Sequence, residues 1–402
     1  MTVNPTTPLQ PVKPAGTRKR IMIVCPSLGF GGAETQIIVT AIGMKARGHE
    51  VAIYLLSTEK DRADEVRAAG VTLWEDNRNS RLDLPLLQRL RRVVRDWKPD
   101  LIHGYLFDGN LYARLAGMGR KVPVLSAERS SDYALRPAQT VAHLASRWRS
   151  DGVVANSWAG AALAKQMYPS LKNHIHVTWN GIDVAEVQRR AAAASGMRET
   201  LGIPEQAKVA CFVGMVKPDK DFLLAVETTR ALLQQADTPW HVIFVGAPIY
   251  QFMTYAAGGA AEMDSYAEQV EAAFATLPLQ QNVHRLGNSK QVIELMAQSD
   301  VFFSTSVREG FPNVVLEAMT AGVPVVSTAY SDIQMILPQP WQVVTERDSH
   351  TMAAAIIRAA EDKELAQIQK DWVNQHATLD CAVDALEAVY ELYIPRPAGL
   401  AS

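Results

Sequence analysis

Two glutamates bracket the start of a predicted helix late in the chain, and their positions favour the binding of hydroxyl groups. Glu309 lies in a loop that ends at Pro312. Glu317 lies one turn inside a helix that we predict to begin at Val314, with Asn313 as its N-cap. The amides at such a helix start can hold a phosphate, while the two carboxylates hold the hydroxyls of a sugar and a ribose. Capping and surface charge would explain Glu317 alone, but they do not explain Glu-Gly-Phe-Pro in a loop.

A glycine-rich loop near the N-terminus is the second candidate ligand site. Gly29, Gly31 and Gly32 follow the first apolar run, and a helix is predicted to start near Ala33. Glycines let the backbone approach a ligand closely and a helix start attracts anions, so a phosphate loop is one interpretation. The glycine spacing is not that of a dinucleotide fingerprint, and the Gly-Lys-Ser/Thr ending of a nucleoside-triphosphate loop is missing. A plain tight turn is the alternative.

Short apolar runs alternate with segments of helical spacing, and this alternation positions both loops. In the first half, the predicted strands are Ile21–Cys25, Val51–Leu56, Val71–Trp74, Leu101–His103, Val122–Leu125, Val153–Ala155 and His176–Thr178. The helices predicted between them include Ala33–Arg47, Leu84–Trp97, Asn110–Met118 and Ser157–Tyr168. Buried strands that alternate with helices predict a parallel sheet covered on both faces.

The same pattern restarts in the second half. Its predicted strands are Val209–Val213, Val242–Val245, Val283–Leu286, Val301–Phe303 and Val323–Ser327. Its predicted helices are Phe222–Gln235, Glu262–Thr276, Lys290–Gln298 and Val314–Ala321, followed by Met352–Ala360, Lys363–Asn374 and Cys381–Tyr393. The sequence therefore predicts an α/β protein of two doubly wound parallel-sheet units, joined near Asn180–Asp183 or near the Ala-rich segment Ala191–Ser195. Ligands of such sheets bind at the carboxyl ends of the strands, where both candidate loops lie.

The composition fits a soluble or peripheral protein of two or three domains. The chain has 402 residues, 48% hydrophobic and 20% charged, without a repeat period, which excludes collagen, coiled-coil and disordered classes. Every apolar run is far shorter than the roughly 18 residues of a membrane span. Residues 1–20 are Pro- and Thr-rich and then basic, without a signal peptide's hydrophobic region, so we expect a disordered tail on a cytoplasmic protein.

Cysteine and histidine are too scattered for a disulfide framework or a metal site. Cys25, Cys211 and Cys381 are odd in number and far apart, which indicates free thiols in a reducing compartment. The nine histidines lack ligand spacing, so we predict that the protein binds no metal.

The net charge of −2 hides an asymmetry between the halves. Residues 1–190 contain 27 Lys and Arg against 17 Asp and Glu, whereas residues 191–402 contain 13 against 25. A first half of net charge +10 suggests an anionic substrate or surface, and solvated helix faces of unequal charge are the alternative. Nothing in the chain points to nucleic acid.

Several motifs together resemble the retaining glycosyltransferases of family four, also described as group 1. These motifs are Gly31-Gly32-Ala33-Glu34, Asn180-Gly181-Ile182-Asp183, Gly214-Met215-Val216-Lys217-Pro218-Asp219-Lys220, and Glu309 through Glu317 followed by Ala321-Gly322-Val323-Pro324-Val325-Val326. The resemblance spans roughly residues 20–390. It implies a GT-B enzyme, in which two Rossmann-like domains face a cleft and a sugar is transferred from a nucleotide-sugar without a metal or other cofactor. The domains expected on this basis are a tail (1–19), an acceptor-binding domain (20–182), a nucleotide-sugar-binding domain (183–375) and a C-terminal helix crossing back to the first domain (376–402).

The resemblance also implies roles for individual residues of the donor site. Glu317 would bind the ribose hydroxyls, Glu309 would lie beside the donor sugar, and Lys220 would neutralise the leaving diphosphate. The remaining expected donor contacts are Gly214, the amides of Gly310, Phe311 and Asn313, and Gly31 and Gly32 from the first domain. Glu309, Lys220 and His103 are the expected catalytic residues.

The chain departs from the family pattern at three places. Met215 replaces the usual arginine of the phosphate-binding loop, so Lys217 or Arg308 would supply the second cation. His103 occupies the first histidine position of the strand-four motif, but Tyr105 occupies the second, where it would either substitute for the histidine or make turnover slow. Residues 329–334 lack the usual glycine pair and glutamate, which leaves the sugar contacts there open.

The acceptor side is predicted in the first domain. Tyr105 and Arg129 are its candidate residues, and the segment from Arg129 to Ser150 carries four arginines among apolar residues. Such a segment could lie on an anionic membrane or bind a polyprenyl-pyrophosphate-linked acceptor, and ordinary amphipathic packing is the alternative.

Three functions remain open from the sequence. The first is transfer of a sugar, preferably from a UDP-sugar, to a glycan or lipid-linked saccharide in the synthesis of a cell-surface polysaccharide such as lipopolysaccharide or exopolysaccharide. The second is epimerisation of a nucleotide-sugar on the same scaffold. The third is binding of a sugar nucleotide without catalysis, which Met215 and Tyr105 would favour.

Overall fold

The protein is described here by a computed structural model that covers residues 18–29, 31–80, 82–131, 135–235, 238–247 and 260–394. The chain divides into an N-terminal unit of residues 1–181 with 378–402 and a C-terminal unit of residues 182–377. Most of the predicted tail lies outside the described residues. Within the described ranges, no helix combines the length and the apolar character needed to cross a bilayer.

The helices and strands follow the alternation seen in the sequence. The described strands are β1 (Arg20–Cys25), β2 (Glu50–Leu55), β3 (Thr72–Glu75), β4 (Leu101–Gly104), β5 (Val124–Glu128), β6 (Gly152–Ala155), β7 (Ile175–Val177), β8 (Lys208–Val213), β9 (Trp240–Val245), β10 (Val283–Arg285), β11 (Val301–Ser304), β12 (Val325–Thr328) and β13 (Val343–Val344). The described helices are α1 (Gly32–Ala46), α2 (Ala63–Ala68), α3 (Leu84–Trp97), α4 (Leu106–Gly117), α5 (Pro137–Ser146), α6 (Trp158–Met167), α7 (Val184–Ala192), α8 (Met197–Leu201), α9 (Phe222–Gln235), α10 (Ala260–Ala275), α11 (Val292–Ala297), α12 (Asn313–Ala321), α13 (Ile333–Ile336), α14 (Ser349–Glu361), α15 (Leu365–His376) and α16 (Leu379–Tyr393).

Each unit contains one parallel sheet, as predicted. Among the described residues, the N-terminal sheet has the strand order β3-β2-β1-β4-β5-β6-β7 and the C-terminal sheet has the order β10-β9-β8-β11-β12-β13. The direction of strand addition reverses between β1 and β4 in the first sheet and between β8 and β11 in the second. Ligands of doubly wound sheets bind at such reversal points, so the loops after these four strands are the first places to examine.

The core of the N-terminal unit explains why its strands are continuously apolar. Residues Ile21–Cys25 of β1 are each at most 1% exposed, because helices cover both faces of the sheet. One of these helices is α16, whose Val383, Leu386 and Val389 pack in the same apolar cluster as β1 and α1. A side chain at Gly43 of α1 would collide with Val383, so the two helices are in close contact.

The core of the C-terminal unit is built around aromatic side chains. Phe212, Phe222, Phe244 and Phe303 lie in one buried cluster, with Phe212 and Phe222 ring centroids 4.8 Å apart. Such edge-to-face pairs add to the free energy gained by burial. This cluster lies under the ends of β8, β9 and β11 and therefore fixes the loops that follow them.

The Ala-rich segment considered as a possible join is not one. Residues 191–195 end α7 and follow it inside the C-terminal unit, and the chain passes between the units at Gly181 and Ile182. The side chain of Asp183 accepts a hydrogen bond from the amide of Glu186 (3.0 Å) and so caps α7. Ala191 and Ala192 are the last two residues of the helix that this cap begins, in keeping with the high helix propensity of alanine.

Candidate active site

The two loops at the reversal point of the C-terminal sheet lie side by side. Strands β8 and β11 are paired in parallel, with Val301 opposite Ala210 and Phe302 opposite Cys211. The loop after β8 therefore meets the loop after β11. The backbone amide of Val307 donates to the carbonyl of Asp219 (2.8 Å), which joins the two loops directly.

An ion pair between Lys220 and Glu309 lies at the centre of this junction. The Lys220 ammonium contacts Glu309 Oε1, and both side chains are largely buried. The Ser306 hydroxyl donates to the same Glu309 oxygen (2.8 Å). The structure therefore brings together the two residues expected to act on the donor, which are 89 positions apart in sequence.

Buried hydroxyl groups extend this network away from Glu309. Ser306 Oγ lies 3.3 Å from Ser304 Oγ, which in turn lies 3.3 Å from the Tyr330 hydroxyl. Burial, reinforced by the charge of Glu309, raises the pKa of Tyr330. Ser331 donates to the carbonyl of Gly310 (3.1 Å). The segment that lacks the family's glycine pair thus supports the Glu309 loop through Tyr330 and Ser331.

Both candidate second cations bind Asp219. Lys217 Nζ lies 3.3 Å and Arg308 Nη2 lies 2.8 Å from the Asp219 carboxylate. Burial alone would raise the pKa of Asp219, but Lys217 and Arg308 lower it overall. Asp219 therefore holds two positive groups beside Lys220, at the loop where Met215 replaces the family arginine.

Glu317 lies on α12 in an environment that opposes its charge. It is partly buried, and desolvation raises the pKa of its carboxyl to about 7 despite the opposing effect of Arg190. Arg190 of α7 forms a two-pronged ion pair with Glu294 (2.6 and 2.8 Å). A carboxylate that lacks solvation in the free protein gains from accepting the hydrogen bonds of two vicinal hydroxyls.

The start of α12 differs from the prediction by one residue. The helix begins at Asn313, and Pro312 rather than Asn313 is its N-cap, so the predicted Asn313 cap is wrong. The carbonyl of Pro312 accepts from the amides of Val315 (3.0 Å) and Leu316 (3.3 Å), which extends the helix one residue earlier. The Asn313 amide, an expected phosphate donor, donates to the Phe311 carbonyl (3.0 Å).

Gly246 and Gly287, which the sequence did not single out, shape this site together with the expected Gly214. Gly246 has a φ of +136°, and a side chain there would collide with the carbonyl oxygen of Gly214. Gly214 in turn leaves room for the Lys220 side chain, whose Cδ would be 3.3 Å from a Cβ at this position. The amide of Gly246 donates to the carbonyl of Gly287 (2.7 Å). Backbone groups thus hold the ends of β8, β9 and β10 together. A glycine after a strand is only a weak sequence signal for such a close backbone contact.

The glycine-rich loop of the N-terminal unit is closed by its own carboxylate. A side chain at Gly31 would collide with Glu34, whose Oε1 accepts a hydrogen bond from Ser27 (2.8 Å). Gly32 is the first residue of α1, and Glu34 lies in its first turn. The negative side chain therefore occupies the electropositive helix start, where a phosphate was one of the two sequence interpretations. An incoming anion would have to displace Glu34.

The expected catalytic residue His103 and the two acceptor-side candidates, Tyr105 and Arg129, form one cluster at the ends of β4 and β5. His103 and Tyr105 are fully buried, with ring centroids 4.4 Å apart, and the Arg129 guanidinium lies 4.8 Å from the Tyr105 ring centre. Arg129 Nη1 donates to Asn180 Oδ1 (3.0 Å). His103 Nε2, Tyr105 Oη and Arg129 Nε are buried and, within the described residues, have no hydrogen-bond partner. Unpaired buried polar atoms are costly, and these three are available for hydrogen bonds to a ligand.

Two of the four arginines after β5 have structural roles. Arg149 donates to the carbonyls of Gly117 and Val122, and Arg147 donates to the carbonyl of Met167. The exposed groups of this segment are mainly apolar instead. Val141, Leu144 and Trp148, at the spacing of one helix face, are 67%, 50% and 66% exposed. We refer to these three residues as the apolar ridge.

The spacing of the described His, Cys, Asp and Glu side chains does not suit a metal ion. Within the part of the chain that the structure describes, no group of three or more His, Cys, Asp or Glu side chains is placed to hold a metal ion. Cys25 and Cys211 are buried, and burial raises the pKa of both thiols.

Comparison with known proteins identifies the family. The model of the Glycosyltransferase Family 4 matches residues 30–186, and that of the Glycosyl transferases group 1 matches residues 195–375. The chain belongs to the glycosyltransferases of family four and group 1. Each matched region contains one of the clusters described above. The first region includes His103 and Arg129, and the second includes Lys220 and Glu309.

Individual relatives are distant. A D-inositol 3-phosphate glycosyltransferase of Corynebacterium urealyticum is 25% identical over 62% of this chain, a match that spans only 57% of that relative. The UDP-Gal:alpha-D-GlcNAc-diphosphoundecaprenol alpha-1,3-galactosyltransferase of Escherichia coli is 21% identical over 82% of this chain and 84% of its own. The structure of Anabaena HepE in complex with UDP-glucose has a TM-score of 0.72 and 19% identity, covering 93% of this chain and 99% of HepE. The fold is therefore that of the GT-B glycosyltransferases.

Proposed function

We propose that this protein is a retaining, metal-independent glycosyltransferase of cell-surface polysaccharide synthesis. It moves a sugar from a nucleotide-sugar to a hydroxyl of a glycan or lipid-linked saccharide. The observation that carries the proposal is the Lys220–Glu309 ion pair at the reversal point of the C-terminal sheet. Two related proteins whose names include UDP-galactose or a UDP-glucose complex support a UDP-sugar as the donor.

The chemical demand on this site is the departure of a nucleoside diphosphate from an anomeric carbon. Negative charge develops on the phosphate as the bond breaks. The Lys220 ammonium is already fixed and partly desolvated, and the positive end of α12 lies in the adjoining loop, so both can stabilise that charge without reorganisation. Lys217 and Arg308 add positive charge at Asp219.

Glu309 acts by position and electrostatics in this proposal. Its Oε1 accepts hydrogen bonds from both Lys220 and Ser306, which stabilises the carboxylate and lowers its nucleophilicity. A covalent intermediate of the kind formed by two-carboxylate hydrolases is therefore disfavoured. Retention then follows from attack on the face that the diphosphate leaves, with the leaving phosphate accepting the proton of the acceptor hydroxyl.

The acceptor carries an oxygen-rich or anionic group. The cluster of His103, Tyr105 and Arg129 offers buried donors, and Arg129 Nη1 donates a hydrogen bond to Asn180. A phosphate or pyrophosphate beside the accepting sugar would supply the missing partners. A lipid-linked saccharide has this chemistry.

An anionic membrane surface is the partner proposed for the apolar ridge of Val141, Leu144 and Trp148. Apolar side chains flanked by positive charge bind the interface of anionic bilayers, and residues 1–190 carry a net charge of +10. The proposed site of action is therefore the inner face of the cell membrane. Trp148→Ser should lower co-sedimentation with phosphatidylglycerol vesicles several-fold, whereas Leu392→Ser, which removes an equally exposed leucine of α16, should not. Equal sedimentation of both variants and the parent protein would refute the membrane contact.

The donor site is tested by thermal stabilisation with UDP-, GDP- and ADP-sugars, with and without EDTA. A ligand that binds only the native state raises the melting temperature by mass action. We expect stabilisation by a UDP-sugar that is unaffected by EDTA, lost in Glu317→Ala and retained in Glu361→Ala, which removes an exposed glutamate of α14. A failure of every nucleotide-sugar to stabilise the protein would refute the donor site.

Turnover is tested by following donor consumption and transfer. Lys220→Ala and Glu309→Ala should each reduce transfer to a lipid-linked acceptor by at least about a hundredfold, a magnitude typical for loss of one preorganised electrostatic group. Formation of a free isomerised nucleotide-sugar without acceptor would instead favour the epimerase. Tight donor binding without transfer to any lipid-linked acceptor would favour the non-catalytic binding protein.

A further inference from the structure

A buried hydrogen bond links the C-terminal helix to the histidine of the acceptor-side cluster. The Tyr390 hydroxyl of α16 lies 2.7 Å from His103 Nδ1 at the end of β4. The two rings meet edge to face with centroids 5.6 Å apart, and both residues are at most 2% exposed. His103 Nε2, on the opposite side of the ring, is buried without a hydrogen-bond partner among the described residues.

We propose that Tyr390 is a positioning residue that donates to His103 Nδ1 and thereby fixes the tautomer that carries its proton on Nε2. His103 then presents a hydrogen-bond donor to a substrate oxygen and does not act as a general base. The assignment of the tautomer stands on the structure alone, whereas its consequence for substrate rests on the function proposed above.

The protonation states of the two groups support this direction of donation. Burial, together with the positive charge of Arg129, lowers the pKa of His103 well below its ordinary value, so the imidazole is neutral. Burial raises the pKa of Tyr390, so the phenol keeps its proton. A neutral imidazole has one donor and one acceptor nitrogen, and the bond to Tyr390 decides which is which.

The alternative direction gives the Tyr390 proton a weaker acceptor. If His103 Nδ1 carried the proton and donated it, the phenol hydrogen of Tyr390 would need another acceptor. Tyr105 is the polar group that interacts with Tyr390 besides His103, but a phenol oxygen accepts more weakly than the imidazole nitrogen 2.7 Å away. Donation from Tyr390 to Nδ1 therefore gives the phenol proton the stronger acceptor and leaves the proton on His103 Nε2, a buried atom that a ligand can satisfy.

The tautomer of His103 determines which kind of ligand atom its cluster can bind. With Nε2 protonated, His103, Tyr105 and Arg129 offer an N–H, an O–H and an N–H from buried atoms that lack partners. Three neighbouring donors at the ends of β4 and β5 select an oxygen that accepts hydrogen bonds, as in a hydroxyl, a phosphate or a carboxylate. A base acting on an acceptor hydroxyl would need an unprotonated Nε2 instead.

The tautomer is measured by nuclear magnetic resonance on the full chain labelled with ¹⁵N-histidine. Correlations between ring protons and ring nitrogens distinguish protonated from unprotonated nitrogens, and His103→Gln assigns the signal. We expect an unprotonated Nδ1 and a protonated Nε2 in the parent protein, and a changed tautomer population in Tyr390→Phe. A protonated Nδ1 in the parent protein overturns the proposal, whether or not the variant folds.

Tyr393→Phe is the matched control. Tyr393 lies on the same helix and forms an equivalent bond to a different histidine, with its hydroxyl 2.8 Å from His176 Nε2. This variant should leave the His103 signal and the turnover unchanged. An identical His103 spectrum in Tyr390→Phe and Tyr393→Phe would also overturn the proposal.

Steady-state kinetics distinguish a positioning role of Tyr390 from a role in packing alone. Loss of one neutral hydrogen bond predicts up to about a tenfold decrease in kcat for Tyr390→Phe, with the KM for the donor and the nucleotide-induced thermal shift unchanged. Equal kcat values in Tyr390→Phe and the parent protein refute the positioning role. A parent protein that shows the expected tautomer but transfers no sugar contradicts the proposed function and leaves the tautomer assignment standing.

Discussion

Glu317 carries its charge at an energetic cost in the free protein. Its pKa is raised to about 7 by burial, so the folded protein binds a proton between pH 4.5 and 7 that the unfolded chain has released. Stability contributed by this group is full below pH 4.5 and is lost as the pH rises through 7. The same desolvation makes the carboxylate a strong acceptor for ligand hydroxyls, so stability and binding oppose each other at one residue.

The substitution Glu317→Gln tests this opposition. We expect the variant to be more stable than the parent protein at pH 8 by about 1 to 2 kcal/mol, after allowance for partial solvent exposure, and equally stable at pH 4. Nucleotide-sugar binding should be lost at the same time. Denaturant unfolding at both pH values measures the first effect, and Glu361→Gln is the control. An unchanged pH dependence in Glu317→Gln would contradict the raised pKa.

Alanine substitutions at Gly246 and Gly287 separate the cost of a steric collision from the cost of a backbone with positive φ. Both have positive φ angles, but a side chain at Gly246 collides with the Gly214 carbonyl, whereas a Cβ at Gly287 meets no atom within 4 Å. Gly287→Ala should therefore cost about 1 kcal/mol of unfolding free energy, the price of left-handed backbone alone. Gly246→Ala should cost more than about 3 kcal/mol and abolish donor binding, because the end of β9 must move. Thermal or denaturant unfolding of both variants measures the difference, and similar losses would contradict the collision.

At the scale of helices and strands, the local pattern of the sequence predicts much of the architecture. Strands buried on both faces are continuous apolar runs, so Val301–Phe303 was predicted almost as it is found in β11. The two-residue strand β13 and the short helix α13 were missed because neither is long enough to establish a period. The one-residue error at Asn313 arose because a proline carbonyl can begin a helix as well as a polar side chain can.

Contacts between residues that are far apart in the sequence cannot be predicted from local sequence patterns. The Lys220–Glu309 pair could be anticipated only through the family resemblance, since 89 residues separate its members. The bond between His103 and Tyr390, across 287 residues, was not anticipated at all. Tyr330 and Gly246 were missed because they support functional residues from neighbouring strands, whose order in the sheet cannot be read from sequence spacing.

The attachment of α16 to α1 combines apolar packing with a cluster of charges. Arg47 binds Asp380, Asp384 and Glu387, and His49 binds Glu387 at 2.6 Å. The carboxylate of Glu387 is only 6% exposed, so removal of its cationic partner leaves a poorly solvated charge.

Arg47→Ala should therefore destabilise the N-terminal unit by about 3 kcal/mol. Arg95→Ala is the control, because among the described residues Arg95 pairs only with the adjacent Asp96 and both side chains are more than half exposed. The control should change stability by less than about 0.5 kcal/mol. Chemical denaturation of both variants distinguishes them, and a loss below 1 kcal/mol for Arg47→Ala would show that apolar packing alone holds α16.

At the scale of the whole molecule, the two units differ in how the chain builds them. The C-terminal unit is one continuous segment, residues 182–377, with its own apolar core. The N-terminal unit is discontinuous, because its core includes residues from both ends of the chain.

This difference predicts the behaviour of fragments. Residues 182–377 expressed alone should give a cooperative thermal transition and bind the same nucleotide as the full chain. Residues 18–181 alone should be aggregated or molten, because the surface that α16 covers is exposed, and a fusion that adds residues 378–394 should restore a cooperative transition. Calorimetry and circular dichroism measure these outcomes. A native-like fragment 18–181 would show that α16 is dispensable for the core.

The late position of α16 in the chain also sets an order of events on the ribosome. The strands of the first sheet emerge early, but the helix that completes their core follows only after another 196 residues, the length of the C-terminal unit. At about 5 to 20 residues per second, the nascent N-terminal half waits on the order of 10 to 40 s with the apolar face of α1 uncovered. The unit whose synthesis begins second can therefore complete its fold first, and the half made first keeps part of its apolar core uncovered until the last helix arrives.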